Sequence, residues 1–110
     1  MNNAAVPWLL IVPEVTVVEL FELTAAEQQK LLIDVNDLSR FVKTHFAAHK
    51  INVCAMGNVV KQMHIHVVGR YTTDYAWPNT VWSTTAPSQY SAERVAEIRT
   101  LAHAHGGVTP

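Results

Sequence analysis

The chain has 110 residues, a formal net charge of −1, 49% apolar residues and 15% charged residues. This balance is typical of one globular domain spanning residues 1–110 and excludes a disordered chain. The small net charge argues against broad binding to a nucleic-acid backbone. No segment has the roughly 18 consecutive apolar residues of a membrane span. The single cysteine, Cys54, and a start unlike a signal peptide predict a cytoplasmic protein.

The first half of the chain predicts one strand followed by one long helix. Residues 8–12 are a continuous apolar run stopped by Pro13, which is typical of a buried strand. Residues 14–23 are ambiguous. A capping box, Thr24 with Glu27, predicts a helix start. The helix is predicted over residues 25–47 from one apolar stripe made of Leu31, Val35, Leu38, Val42 and Phe46.

The second half predicts two strands and a last helix. Residues 51–56 and 61–68 are the strands, separated by a turn at Gly57 and Asn58. Residues 84–110 are a C-terminal loop and helix, which begins at Ser88 or Ser91 and ends at Gly106 and Gly107. This order predicts the α+β class with an antiparallel strand pair.

The informative segment is the third strand. With period-two alternation, Gln62, His64 and His66 share one face and stand about 7 Å apart along the strand. Met63, Ile65 and Val67 form the opposite, core-facing side. The segment therefore places two imidazoles and an amide in a row on an apolar support.

Such a row suits transfer of a phosphoryl or nucleotidyl group. A neutral imidazole is a competent nucleophile when its other ring nitrogen is held by an acceptor. A second, protonated imidazole binds phosphate oxygens. The turn at residues 57–59 can direct backbone amides at an anion. The segment thus combines a nucleophile, a cation and an anion-binding turn.

The segment from Gly57 to Arg70, GNVVKQMHIHVVGR, resembles the histidine-triad (HIT) motif, His-x-His-x-His followed by apolar residues. It is most similar to a bacterial branch of HIT hydrolases with Gln at the first triad position. The resemblance spans about residues 1–83 and includes Trp8 with its apolar run, residues 21–23, and the Trp77 and Trp82 segment. It implies a HIT-like fold, with one long helix across an antiparallel sheet and a C-terminal helix, and a homodimer.

The resemblance also implies roles. His64 is the nucleophile, which forms a nucleotidyl-histidine with the α-phosphate of a nucleotide. His66, Gly57, Asn58 and Val59 bind phosphate. Asn3 contacts the ribose, with Asn2 as the second candidate, and Gln62 touches the leaving group or orients His64. The substrate is a small-molecule nucleotide of the dinucleoside polyphosphate or phosphoramidate type, and no cofactor or metal is expected.

The sequence departs from the family pattern in two ways. Gln62 cannot donate an acidic proton, and loss of a general acid slows catalysis by roughly 10²–10⁴-fold. Relatives also have about one more strand and loop before the segment like Met1–Asn3. A nucleotide-binding module with little turnover is therefore the alternative function.

Several of these residues also have interpretations that involve no role in catalysis or ligand binding. His64 and His66 can be surface residues, or part of a metal site, which needs a third ligand that Asp74 is poorly placed to supply. The side chains of Arg70 and Lys61 either bind phosphate or are solvated surface charges. Trp77 and Trp82 are core or loop packing, or stack on a base. His45 and His49 suit structural roles at a helix end, and His103 and His105 are predicted to be solvated.

Overall fold

The computed structural model describes residues 3–82 and 84–106. Its elements are strand β1, Trp8–Ile11; a short 3₁₀ turn, Leu20–Glu22; helix α1, Ala25–His45; strand β2, Lys50–Cys54; strand β3, Ile65–Arg70; and helix α2, Ala92–Gly106. The predicted α+β class, with one long helix across an antiparallel sheet and a C-terminal helix, is confirmed. No helix in the described part of the chain is long and apolar enough to cross a membrane.

The sheet has three strands in the order β1-β3-β2, and both pairings are antiparallel. Leu10 and Cys54 lie opposite His66 on the two sides of β3. The central strand is buried along its whole length. A strand with neighbours on both edges and cover on both faces has little freedom, so β3 is a rigid base for the residues at its start.

Helix α1 begins as predicted, because the Thr24 hydroxyl accepts from the Glu27 amide and the Glu27 carboxylate accepts from the Thr24 amide. It ends at His45, two residues before the predicted end. Its buried face packs on one side of the sheet, and this main core contains Leu31, Leu38, Phe41, Val42, Ile11, Met63, Ile65 and Val67. The predicted core side of the third strand, Met63, Ile65 and Val67, is confirmed.

The opposite side of the sheet is covered by the loop after β3. Val6, Trp8, Val68 and Val81 form a second buried cluster there, with Trp82 packed against it. Loop packing for Trp82, one of its two predicted roles, is thus observed. Helix α2 begins after Ser91, whose hydroxyl accepts from the Arg94 amide at 3.2 Å. Of the two predicted starts, Ser91 is the observed one, and the predicted end at Gly107 lies outside the described residues.

The prediction that the third strand begins at Lys61 is wrong, because β3 starts at Ile65. The reason is the length of its neighbour: β1 ends at Ile11, which pairs with Ile65. Pro13 follows and has no amide hydrogen to continue a ladder. Residues 61–64 therefore lack a strand to pair with, and two of the three predicted triad positions precede the strand.

Candidate functional site

His64 lies one residue before β3, half-buried, with its ring tied to the backbone. Its Nδ1 atom is 2.7 Å from the carbonyl oxygen of Gln62. A carbonyl can only accept, so Nδ1 carries the hydrogen and donates it. In the neutral ring this leaves the lone pair on Nε2. The contact is local, two residues back along the chain, and it leaves on Nε2 the lone pair that a nucleophile would need.

His66 lies inside β3 and is 6% exposed. Its Nδ1 atom accepts a hydrogen bond from the indole Nε1 of Trp8 at 2.9 Å. Because an indole N–H only donates, Nδ1 carries no hydrogen and the neutral ring is protonated at Nε2. That Nε2 atom is buried and has no hydrogen-bond partner among the described residues. An unpaired buried donor is uncommon and points to a missing acceptor.

The surroundings of His66 disfavour its charged form. Burial lowers its pKa, and the neighbouring His64 lowers it further. The ring centres of His64 and His66 are 5.2 Å apart. From the sequence, a protonated second imidazole is expected, whereas this environment favours a neutral ring that donates from Nε2. The pair therefore offers one acceptor nitrogen and one donor nitrogen side by side.

Two indoles enclose His66. The ring centres of Trp8 and Trp82 are 5.8 Å and 5.4 Å from the His66 ring, and 5.4 Å from each other. Trp8 is predicted as part of a buried strand and of the family resemblance, but its contact with His66 is not predicted. No local sequence pattern reveals this contact, because it follows from the pairing register, which sets Trp8 opposite Val68 and so on the same face as His66.

Gln62 is exposed and directs its amide at the backbone of the segment after β1. Its Nε2 donates to the carbonyl oxygen of Pro13 at 3.1 Å, and lies 3.4 Å from that of Val15. The family resemblance predicts that the Gln62 side chain touches the leaving group or orients His64. The observed side chain anchors the residues before β3, while its backbone carbonyl holds the His64 ring.

The predicted phosphate-binding turn is open to solvent. Gly57 has a φ of 67°, a left-handed conformation that glycine adopts without the strain a side chain would add. Asn58 is exposed and Val59 is 94% exposed. An exposed valine has little packing role, so the turn is accessible from solvent.

Asn3 is 2% exposed. Its side-chain oxygen accepts from the amides of Ala5 and Val6, at 2.9 Å and 3.3 Å, and its side-chain nitrogen donates to the Tyr75 hydroxyl at 3.1 Å. These bonds shape the start of the chain before β1. The ribose contact stays a prediction for Asn3, and Asn2 lies outside the described residues.

Both interpretations of Arg70, a phosphate contact or a solvated charge, are wrong. Its side chain is 1% exposed and forms a buried ion pair with Asp74, Nε to Oδ2 at 2.9 Å. It also donates to Asn52 Oδ1 at 3.0 Å and to the Asn79 carbonyl at 2.7 Å. The guanidinium thereby joins β3, β2 and the following loop. Lys61 is exposed.

Other histidines have structural contacts. His45 stacks on Phe41 with ring centres 5.2 Å apart, and His49 Nδ1 accepts from the Thr72 amide at 3.0 Å. His103 is exposed on α2, and the side chain of His105 lies outside the described residues. Among residues 3–82 and 84–106, no three His, Cys, Asp or Glu side chains are grouped so as to hold a metal ion.

Three solved structures are similar to this chain over nearly its whole length. A histidine triad (HIT) protein from Sinorhizobium meliloti 1021 is 33% identical, with 96% of this chain and 78% of that chain covered and a TM-score of 0.87. One from Bradyrhizobium japonicum is 33% identical, with 96% and 80% covered and a TM-score of 0.86. One from Marinobacter aquaeolei VT8 is 36% identical, with 97% and 79% covered and a TM-score of 0.87.

No curated protein sequence matches the chain significantly. The family model of the HIT domain matches residues 1–73, which contain strands β1, β2 and β3, helix α1, and the histidines His64 and His66. HIT domain proteins are generally nucleotide hydrolases or nucleotide binders. On the match to residues 1–73 and on the similarity to three HIT protein structures, this chain belongs to the HIT domain family.

Proposed function

We propose that this protein hydrolyses a phosphoanhydride or phosphoramidate bond at the α-phosphate of a nucleotide, with His64 as the nucleophile. The observation that carries the proposal is the 2.7 Å contact between His64 Nδ1 and the Gln62 carbonyl. It leaves the His64 Nε2 lone pair free, as attack on phosphorus requires.

The reaction has two steps. In the first, His64 Nε2 forms a bond to the α-phosphorus while the bond from phosphorus to the leaving group breaks. The ring then carries a positive charge, which the Gln62 carbonyl stabilises through the Nδ1–H bond. In the second step water attacks the phosphorus, the N–P bond breaks, and a nucleoside monophosphate leaves with a proton released to solvent.

The phosphate oxygens need donors during both steps. His66 supplies a neutral Nε2–H, which is buried and without an acceptor among the described residues. Gly57, Asn58 and Val59 are proposed to supply further contacts from the exposed turn. Gln62 has no acidic proton, so a leaving group that needs protonation takes it from water.

A nucleotide-binding module with little turnover is the second candidate. The observation that favours it is Gln62, because its amide donates to the Pro13 carbonyl and cannot act as a general acid. This candidate keeps His66 and the turn as a phosphate site but predicts no covalent adduct.

Intact-protein mass distinguishes the two candidates. The wild type, His64→Ala and the control His103→Ala, which removes an exposed histidine of α2, are incubated briefly with adenosine and guanosine phosphoramidates and dinucleoside polyphosphates, then quenched. We expect the wild type and His103→Ala to gain one nucleotidyl group, and His64→Ala to gain none.

An adduct in His64→Ala would remove His64 from the role of nucleophile. The absence of any adduct or released monophosphate, together with a ligand-dependent rise in melting temperature, would favour the binding module. Circular dichroism of each variant shows whether the fold is retained.

A further inference from the structure

We propose that Trp8 is a positioning residue, which holds His66 as the tautomer with hydrogen on Nε2 so that a neutral N–H faces a phosphate oxygen of the ligand. The assignment of the ligand rests on the proposed function, whereas the tautomer itself does not. Trp8 acts through His66 and need not touch the substrate.

The first support is the direction of the hydrogen bond. Trp8 Nε1 is 2.9 Å from His66 Nδ1, and an indole N–H has no acceptor capacity. The bond is therefore incompatible with a hydrogen on Nδ1, and it would be lost if the ring became an imidazolium. The indole selects one tautomer of the neutral ring.

The second support is the buried state of both partners. Trp8 and His66 are each 6% exposed, so water cannot easily replace the indole as the donor to Nδ1. A hydrogen bond in such surroundings is stronger than in water. Burial also lowers the pKa of His66, and the neighbouring His64 lowers it further; both effects disfavour the imidazolium form, which could not accept the indole hydrogen bond.

The third support is the unpaired state of the other ring nitrogen of His66, Nε2. His66 Nε2 is buried without a partner among the described residues, and leaving a donor unpaired has a free-energy cost. A phosphate oxygen is an acceptor only, so it complements an N–H that cannot switch to an acceptor. An N–H fixed in this way therefore complements a phosphorylated ligand better than a ligand that must donate to His66.

The two neighbouring histidines are then complementary. His64 is fixed by the Gln62 carbonyl with its lone pair on Nε2, and His66 is fixed by Trp8 with its hydrogen on Nε2. Two donors or two lone pairs at the adjacent rings, whose centres are 5.2 Å apart, would not serve attack on phosphorus and binding of its oxygens together. Trp8 is the side chain that sets the second half of this arrangement.

The test uses long-range ¹⁵N–¹H NMR of the histidine rings in the full chain. We expect His66 of the wild type to show a protonated Nε2 and an unprotonated Nδ1 at neutral pH. In Trp8→Phe, which keeps an aromatic ring but removes the N–H, the two tautomers should mix. The matched control is Trp82→Phe, because Trp82 also contacts His66, at 5.4 Å between ring centres, and should leave the tautomer unchanged.

A second variant at position 8 controls for the packing that Trp8→Phe loses along with the N–H. Site-specific replacement of Trp8 by benzothienylalanine keeps the bicyclic shape and exchanges the indole N–H for sulfur. It should mix the tautomers as Trp8→Phe does. A wild-type His66 with hydrogen on Nδ1, or variants at position 8 that keep the wild-type tautomer, would overturn the proposal.

Kinetics separate this proposal from the proposed function. With an adenosine phosphoramidate as the probe, both variants at position 8 should still form the adduct at His64, with kcat/KM lowered by about tenfold, the factor expected for one misdirected neutral hydrogen bond. Trp82→Phe should be affected less. If the wild type forms no adduct, the proposed hydrolysis fails while the NMR result still decides the role of Trp8.

Discussion

At the scale of single residues, hydrogen bonds decide what each imidazole can do. His64 and His66 are identical in type and two positions apart, but one faces a carbonyl acceptor and the other an indole donor. Their neutral rings therefore carry the hydrogen on different nitrogens. This difference, and not a charge on either ring, makes the pair suited to a nucleophile beside an oxygen-binding donor.

Substitutions of Gln62 test the roles of its side chain and its backbone carbonyl separately. We expect Gln62→Met to lower the free energy of unfolding by about 0.5–1.5 kcal/mol, because the side-chain bond to the Pro13 carbonyl is lost. Adduct formation at His64 should persist, since the backbone carbonyl of residue 62 and not its side chain holds the ring. Urea unfolding and intact mass measure the two effects.

Gln62→Glu is the companion variant, of similar size but without an N–H to donate. It should be at least as unstable as Gln62→Met at neutral pH, because a carboxylate has only acceptors to offer the carbonyl groups. Loss of the adduct in a folded Gln62→Met protein would contradict this account and assign the Gln62 side chain a part in the chemistry.

At the scale of elements, the close approach of α1 and the segment before β1 to β3 depends on Gly69. A Cβ atom at this position would lie 2.7 Å from Cγ of Pro7, 2.8 Å from Cγ1 of Val42 and 3.1 Å from Cβ of Ala48. The Gly69 amide also donates to the Pro7 carbonyl at 2.8 Å. The strand that supports His66 is thus packed without room for a methyl group.

Gly69→Ala is therefore expected to lower the free energy of unfolding by about 1–3 kcal/mol, the usual cost of overpacking a core. Urea unfolding measures it. In the Gly69→Ala background, Pro7→Ala should recover part of the loss by removing the nearest atom. An unchanged unfolding midpoint for Gly69→Ala would show that the packing here is looser than the distances indicate.

At the scale of the whole molecule, the buried Arg70–Asp74 pair connects the sheet to the loop that covers the Trp8 cluster. Burial raises the pKa of Asp74, but hydrogen bonds from Arg70 and from the amides of Tyr71 and Ala76, with the Arg70 charge, outweigh it and lower the pKa to about 2. Removing one member leaves the other buried and uncompensated.

The stabilisation from Asp74 should be lost in acid. An unfolded aspartate has a pKa of about 3.9, so the unfolded chain takes up a proton before the native Asp74 does. The contribution, about 2–3 kcal/mol, is fully present above about pH 5 and is lost progressively as the pH falls through about 2. Urea unfolding at a series of pH values measures this decline.

Two variants check the assignment to Asp74. Asp74→Asn should be less stable than the wild type at pH 7 by about 3–5 kcal/mol, and the difference should shrink between pH 4 and pH 2. The control is Asp37→Asn, at a more exposed ion pair with Arg40 of 3.3 Å, which should change stability little. A constant difference between wild type and Asp74→Asn across this range would contradict the assignment.

The outer surface of the molecule carries an apolar groove with exposed side chains. Phe21, Leu32 and Val53 are 80%, 61% and 49% exposed and line an open apolar groove beside β2. A second subunit would bury such side chains. The homodimer implied by the family resemblance stays a prediction.

Features that depend on near neighbours along the chain could be predicted from the residues alone. The start of α1 follows from a capping box within four residues, and its buried face from apolar periodicity. The core side of Met63, Ile65 and Val67 follows from alternation, and the motif around His64 was enough to identify the family resemblance. The hydrogen on His64 Nδ1 is also a local matter, because its acceptor is two residues away.

Other features could not be predicted in this way, because they depend on contacts between atoms far apart in sequence. The start of β3 is set by where β1 ends. The His66 tautomer is set by Trp8, 58 residues away, and the burial of Arg70 by partners on β2 and the loop. Hydrophobic periodicity predicts which face of a strand a side chain occupies. The pairing register and the packing of loops determine which hydrogen-bond donor or acceptor lies next to that side chain.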